Sequence, residues 1–322
     1  MSALSPVRED MHGNSLTMPR PSVAIILINY NNEHHTIECI RSLRQISYNN
    51  FSILVVDNGS MQSSIDSLCH ETGIELICAG VNLGFAGANN LGIRRALALK
   101  SKYVLFLNND TLVNPDFLEL LIVALELDKG AGAAGGTVCY HPEITKVWYG
   151  GGHFVFWRGS GYHDYLNSSF DAIRKLPPKY VTFVTGCLML VRASVFETVG
   201  LLDDRLFMYF EDVEFSFRLI NSGFKLLYVP RSRIYHKIKD RGRTPFTVYY
   251  GVRSRLIFVS NNLTRAKKLI ARIYLTIVFF IKISIWKFTR PDLYRAARNA
   301  ITDYMEDITG PGMGSLIRYP EE

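Results

Sequence analysis

The chain has 322 residues, 48% apolar and 20% charged, a balance that suits a globular core and excludes intrinsic disorder. Its five cysteines (Cys39, Cys69, Cys78, Cys139, Cys187) are odd in number and scattered without a C-x-x-C pair. That argues against a disulfide framework or structural zinc and for a reducing cytosol. The net charge of +7 is unevenly held, since residues 231–300 carry 17 Lys/Arg against 2 Asp/Glu and the remainder 19 against 27. A basic C-terminal segment on a mildly acidic body predicts a polyanionic partner, either a membrane surface or nucleic acid.

The first residues, "MSALSPVREDMHGNS", contain no apolar h-region, so a secretory signal is not expected and residues 1–21 read as a flexible leader. From Val23 the pattern alternates. "VAIILIN" (23–29) is a buried-strand run, followed by a helical stretch to about Leu43. "FSILVVD" (51–57), a helix near 61–70 and "IELICAG" (74–80) come next, then a helix from about Ala86 to Lys100 and "YVLFLNND" (103–110). Residues 116–128 are again helical. Near-continuous apolar strands between helices predict an open, mostly parallel α/β sheet with both faces covered.

Residues 141–180 break this rhythm: "VWYGGGHFVFWRGSGYH" is rich in glycine and aromatics and predicts a hairpin or loop beside a site. "VTFVTGCLMLVRASVF" then reads as strand and short helix, and "FKLLYVP" (224–230) as the last strand. Between them "LFMYFEDVEFSFR" opens a helix that should end near Gly223, with Val213, Phe217 and Ile220 facing the core. Glu214 and Arg218 stand at i, i+4.

Polar residues close several strands: Asn29-Tyr30-Asn31, Asp57-Asn58-Gly59-Ser60 and Asn108-Asn109-Asp110. Each suits a turn taken alone; together they mark the strand ends where open α/β sheets bind ligands. "NLGFAGANNLG" (82–92) is a glycine-rich loop opening a helix, where backbone N–H groups could approach phosphate, but it is neither G-x-G-x-x-G nor a P-loop. Asp110 could hold Mg²⁺ or Mn²⁺ beside a diphosphate, with His236 of "RIYHK" as a second ligand. Glu211 and Asp212 could start the helix, favoured by its dipole, or take a proton.

In order, "VAIILINYNN", "VVDNGS", "NLGFAGANN", "FLNNDT" and "TGCLMLVRASVFETVGLLDDRLFMYFEDVEFSFRLINSGFKLLYVP…YH" resemble an inverting family-2 glycosyltransferase of the GT-A fold, closest to the rhamnosyltransferase-like branch. The resemblance covers about residues 22–255. It implies a dTDP- or UDP-linked sugar donor, a saccharide or lipid-linked acceptor, Mg²⁺ or Mn²⁺, and displacement at the anomeric carbon, for cell-surface polysaccharide synthesis. Carried onto this chain, Asp57 matches the acid that contacts the nucleotide base, and Asn29 and Tyr30 fall where the pocket is lined. The glycine-rich loop brings Asn82, Gly84 and Asn89 to the same pocket. Asp110 matches the last acid of the D-x-D motif; its first position is Asn108, with Asn109 between, so a metal would rest on Asp110 and His236. Glu211-Asp212 matches the motif whose carboxylate deprotonates the acceptor, with Asp212 the expected base and Glu211 its rival. The competing readings are a transferase of another sugar, such as GlcNAc or galactose, and a non-catalytic nucleotide-sugar-binding protein.

Residues 256–322 read as a basic, apolar helical segment beyond the 22–255 domain. Within it "LIARIYLTIVFFIKISIWKF" (269–288) is interrupted by Arg272 and Lys282, which predicts a helix lying in a membrane interface rather than spanning it. A core helix or a homodimer contact is the alternative. With no helix-turn-helix, RRM or zinc pattern, nucleic acid is not an expected partner, and the chain is expected on the cytoplasmic face of an anionic membrane.

Overall fold

A computed structural model describes residues 20–238 and 242–313, so all but the last two residues of the expected 1–21 leader lie outside the described residues. In chain order the elements begin with β1 (Val23–Asn29), α1 (Glu33–Leu43), β2 (Phe51–Asp57), α2 (Gln62–Cys69), β3 (Ile74–Cys78), α3 (Gly84–Ala98) and β4 (Tyr103–Leu107). There follow β5 (Thr111–Val113), α4 (Phe117–Leu127), β6 (Ala131–Tyr140), β7 (Val147–Tyr149), β8 (Gly152–Val155), β9 (Ser160–His163), α5 (Phe170–Ile173) and β10 (Lys179–Val181). The chain continues with β11 (Leu188–Arg192), α6 (Val195–Val199), α7 (Glu211–Asn221), β12 (Lys225–His236), α8 (Pro245–Asn262), α9 (Arg265–Thr289) and α10 (Pro291–Met305).

The main sheet runs β10-β12-β6-β11-β4-β1-β2-β3, with β5 on β12 and β7 on β6. β4, β1, β2 and β3 are parallel, as are β6 and β12, while β11 lies antiparallel between the two groups. This is the expected α/β fold, a mostly parallel sheet with helices on its faces. Ile25, Leu27, Leu54, Val55 and Leu105 are wholly buried, each contributing about 1.5–3 kcal/mol of transfer free energy.

Three features depart from the sequence reading. β6, "AGAAGGTVCY", lies inside the sheet where no strand was expected, because its residues are too small to make an apolar run. The packing requires that smallness: a Cβ on Gly135 would come within 2.4 Å of Val184, and one on Gly136 within 2.5 Å of the Ser232 carbonyl. β12 extends past residue 230 to His236, bulging between Val229 and Arg233 so as to pair with both β6 and β5. On α7 the buried residues are Glu211, Val213, Glu214, Phe215, Ser216 and Leu219, whereas Phe217 is half-buried and Ile220 is exposed. The helix is therefore turned toward Phe215, which stacks on Phe196 with ring centroids 5.6 Å apart. Gly223 does follow the helix at φ 88°, and Arg218 grips Glu214 at 2.7 Å.

The 255/256 boundary falls inside α8, and Tyr249, Phe258 and Ala297 belong to the same buried cluster as β1 and β4. The C-terminal helices thus continue the domain's core.

Candidate active site

Sheet register assembles the site. Asn29 and Asp57 are paired at the carboxyl ends of β1 and β2. The antiparallel β5–β12 pairing sets His236 opposite Thr111, and the Lys237 N–H donates to the Asp110 carbonyl at 3.0 Å. Residues far apart in sequence thereby meet at one sheet edge, the edge at which open α/β sheets bind ligands. A cleft of about 410 Å³ opens there, lined by Tyr30, Asn58, Asn82, Phe85, Asn89, Asn108, Asn109, Asp110, Met208, Tyr209 and His236, among others.

The expected pocket residues occupy two layers. Tyr30, Asn82, Asn89, Asn108 and Asn109 line the cleft. Asn29 and Asp57 stand beneath it, wholly buried and bonded to each other at 2.9 Å. Asp57 also accepts the Gly59 and Ser60 N–H groups, and Asn29 binds Ser60, Ser64 and Thr36. The two form the floor of the cleft and hold the strand ends in register.

The glycine-rich loop is held to the rest of the wall through its own backbone. The Leu83 N–H donates to Asn58, the Gly84 N–H to Asn82 and the Phe85 N–H to the Phe207 carbonyl. These three groups brace the wall of the cleft. Gly84, at φ 71°, is required because a Cβ would lie 2.2 Å from the Phe207 oxygen.

That contact anchors the acidic segment. Phe207, Tyr209 and Phe210 hold φ of 60°, 64° and 72°, a left-handed cluster that is costly for bulky residues. Besides Phe85, buried Ser254 on α8 pins it, its Oγ lying 3.0 Å from both the Leu206 and Met208 carbonyls. The strained turn delivers Glu211 and Asp212 as the first residues of α7, where their environments part. Glu211 is buried, its Oε2 has no hydrogen-bond partner, and burial and then the Asp212 charge push its carboxyl well above the ordinary range. Burial also raises Asp212, but the Gly186 and Val213 N–H groups at 3.0 and 2.8 Å and the nearby His163 oppose it. Burial thus favours the neutral form of Glu211 with little to oppose it, whereas Asp212 has the N–H donors that support a charge.

Asp212 is not among the residues lining the cleft but borders it: a Cβ on Gly186 would lie 3.1 Å from Phe85 and 3.5 Å from Asp212. Trp148 joins the two ends edge-on, 5.5 Å from the His236 ring and 5.0 Å from that of His163. Trp148 and His163 were legible only as part of an aromatic, glycine-rich stretch; β8 and β9 form the hairpin expected there. Asn58 and Gly186 sat within recognised motifs, while Ser254 had no sequence signal.

His236 Nε2 lies 2.9 Å from Asp110 Oδ1, and neither Asp110 Oδ1 nor His236 Nδ1 has an aligned hydrogen bond. Burial opposes charge on both, yet their attraction prevails, holding Asp110 below its usual range and His236 well above. One carboxylate and one imidazole converging with an orphaned oxygen fit a divalent cation that takes its remaining ligands from diphosphate and water. No cluster of three or more His, Cys, Asp or Glu suited to a metal occurs among the described residues.

The family model described as glycosyl transferase family 2 matches residues 24–200. The chain is 25% identical to the dTDP-rhamnosyl transferase RfbF of Shigella flexneri over 261 residues, covering 75% of this chain and 81% of that protein. It is 27% identical over 243 residues to the N-acetylglucosaminyl-diphospho-decaprenol L-rhamnosyltransferase of Mycobacterium tuberculosis, covering 69% and 78%. Among solved structures, GalNAc-T7 with UDP, GalNAc and Mn²⁺ superposes with a TM-score of 0.62 at 16% identity, over 89% of this chain and 56% of that one. The mannosyltransferase PcManGT of Pyrobaculum calidifontis, with GDP-Man and Mn²⁺, gives 0.55 at 16% identity, over 92% and 79%. These two structures establish the likeness of fold.

Proposed function

The chain belongs to glycosyl transferase family 2 and is a glycosyltransferase, and from that premise we propose that it moves rhamnose, with inversion, from a nucleoside-diphosphate donor to a hydroxyl of a saccharide or lipid-linked acceptor. The one observation that carries the mechanism is the divergence of the two adjacent acids, with Glu211 buried and its Oε2 unpartnered and Asp212 fed by two backbone N–H groups at the cleft's border. Rhamnose is supported by the names of the Shigella and Mycobacterium relatives, and a dTDP-linked donor by the name of the Shigella one.

The acceptor hydroxyl is a poor nucleophile, so the Asp212 carboxylate takes its proton as its oxygen attacks the anomeric carbon. The bond from that carbon to the diphosphate oxygen breaks on the opposite face, and the nucleoside diphosphate leaves with the electron pair. Glu211, whose burial favours its neutral form, is the less charged neighbour of the base. Asn108, Asn109, Asn82 and Tyr30 surround the donor in the cleft, above the Asn29–Asp57 floor. Asp110 and His236 would hold Mg²⁺ or Mn²⁺, which when bound neutralises charge on the diphosphate.

Incubation with dTDP-rhamnose, UDP-GlcNAc and UDP-galactose, each with Mg²⁺ or Mn²⁺, tests the reading through release of the nucleoside diphosphate. Preferential turnover of dTDP-rhamnose is expected. Turnover of another sugar alone refutes the rhamnose assignment, and binding without turnover of any donor refutes catalysis.

A further inference from the structure

Helix α9 is, by length and composition, long and apolar enough to cross a membrane, yet it lies along the fold. Ala271, Leu275 and Phe279, one turn apart, are buried against the domain. The opposite face is bare: Leu269, Ile273, Ile277, Phe280, Ile281 and Phe288 are 51–81% exposed. Isolated apolar residues are ordinary on a surface, whereas a continuous stripe along one helix marks an interaction face. The helix carries six Lys/Arg and no acid.

The β8–β9 hairpin extends this face. Its tip residues Phe156 and Trp157 are 37% and 45% exposed, and Trp157 meets Tyr274 of α9 at 5.1 Å. Arg255 of α8 donates to the Gly159 carbonyl at 3.0 Å, and a Cβ on Gly159 would lie 2.7 Å from Val259, so the tip is seated on the C-terminal helices. The hairpin's other end is His163, whose ring meets Trp148 edge-on at 5.0 Å, and Trp148 in turn meets His236 of the site at 5.5 Å. At the rise of a β-strand, three residues separate tip from root by roughly 10 Å.

We propose that the bare face of α9 and the tip at Phe156 and Trp157 together seat on an anionic lipid surface, and that this seating presents the Asp212 side of the site to the headgroup layer, where a lipid-linked acceptor is held. The acceptor clause rests on the transferase reading above; the docking clause does not. A lipid surface is favoured over a second copy by charge: Arg265, Lys267 and Lys287 are exposed along α9, which carries no acid, so two copies meeting on this helix would bring like charges together with no acid from either helix. Anionic headgroups instead attract the basic residues while the apolar stripe sinks among the acyl chains. A spanning role is disfavoured because burial of Ala271, Leu275 and Phe279 ties one face of the helix to protein.

The test is co-sedimentation of the full chain with phosphatidylcholine vesicles, with and without phosphatidylglycerol, beside the variant Phe280→Glu/Ile281→Glu. Both positions are exposed, so melting should be unchanged. Wild type should partition onto the anionic vesicles, less so in high salt, and the variant should lose about tenfold or more of that affinity. Replacing Lys267 with Gln should weaken binding by about fivefold. Turnover on a water-soluble acceptor should be equal in wild type and the Phe280→Glu/Ile281→Glu variant, while a lipid-diphosphate saccharide embedded in the vesicles should be used poorly by the variant alone. Equal use of the embedded acceptor by both overturns the acceptor clause. A wild-type chain that ignores anionic vesicles, whether as monomer or dimer, overturns the docking, and equal binding to neutral vesicles overturns its electrostatic part. A chain that docks yet turns over no donor leaves the surface standing and removes the transferase mechanism.

Discussion

Asp212→Asn preserves the shape of the side chain and removes its basic lone pair. Asp212 accepts two backbone N–H groups, from Gly186 at 3.0 Å and Val213 at 2.8 Å. Asparagine keeps one acceptor and turns an NH₂ toward the other donor, a mismatch that costs about 1–3 kcal/mol when buried. Against that, the variant no longer holds an acid whose ionisation burial disfavours. The net change in stability should therefore stay within about 1–2 kcal/mol. Turnover is a separate matter. Loss of a general base lowers the rate by about 10²–10⁴-fold, equivalent to about 3–5 kcal/mol of barrier. Donor affinity should be retained, because neither acid lines the 410 Å³ cleft. The assay is nucleoside-diphosphate release at saturating donor and acceptor, with calorimetric donor binding and a melting curve on the same preparation. Glu211→Gln is the companion: burial already favours the neutral form of this acid and its Oε2 has no partner to lose, so turnover should remain within about threefold of wild type. A folded Asp212→Asn enzyme with near-normal turnover would refute the assignment, and a dead Glu211→Gln enzyme beside it would move the base one residue back.

The same acid gives a pH signature in stability. Glu211 titrates higher in the folded chain than in the unfolded one, so the unfolded state gives up its proton first and wild-type stability falls as pH rises from the ordinary carboxylate range toward the folded value. Glu211→Gln should match wild type near pH 4 and exceed it toward neutrality by on the order of 1 kcal/mol or more, read from melting across pH; a constant difference would remove the buried-acid account. Asp110→Ala should abolish divalent-metal binding in a calorimetric titration and His236→Ala should weaken it less, whereas full activity in EDTA would exclude the metal. Ser254→Ala releases the Leu206 and Met208 carbonyls and should lower turnover more than donor affinity, at about 1–3 kcal/mol in stability. Unchanged kinetics would show that the left-handed turn holds without it.

The runs at 23–29 and 51–57 were readable to the residue, because branched apolar side chains buried on both faces leave a continuous signal in the sequence. The acidic pair, Asp110 and the basic C-terminal charge were equally plain, since chemistry-bearing residues announce themselves by type. β6 was not, because a strand of alanine and glycine has no periodicity, and its need for small residues comes from Val184 and Ser232, which are distant in the chain. Likewise, spacing could not put Asn29 and Asp57 below the pocket or turn α7 toward Phe215; strand register and the packing of one layer on another did that. The meeting of Asp110 with His236 depends on the β5–β12 pairing. The distinction between Glu211 and Asp212 depends on backbone N–H groups, one of them from Gly186, which no side-chain pattern encodes. Residue types set what chemistry was possible; which atoms face one another, and so which acid carries charge, was decided only when the chain packed and water was excluded.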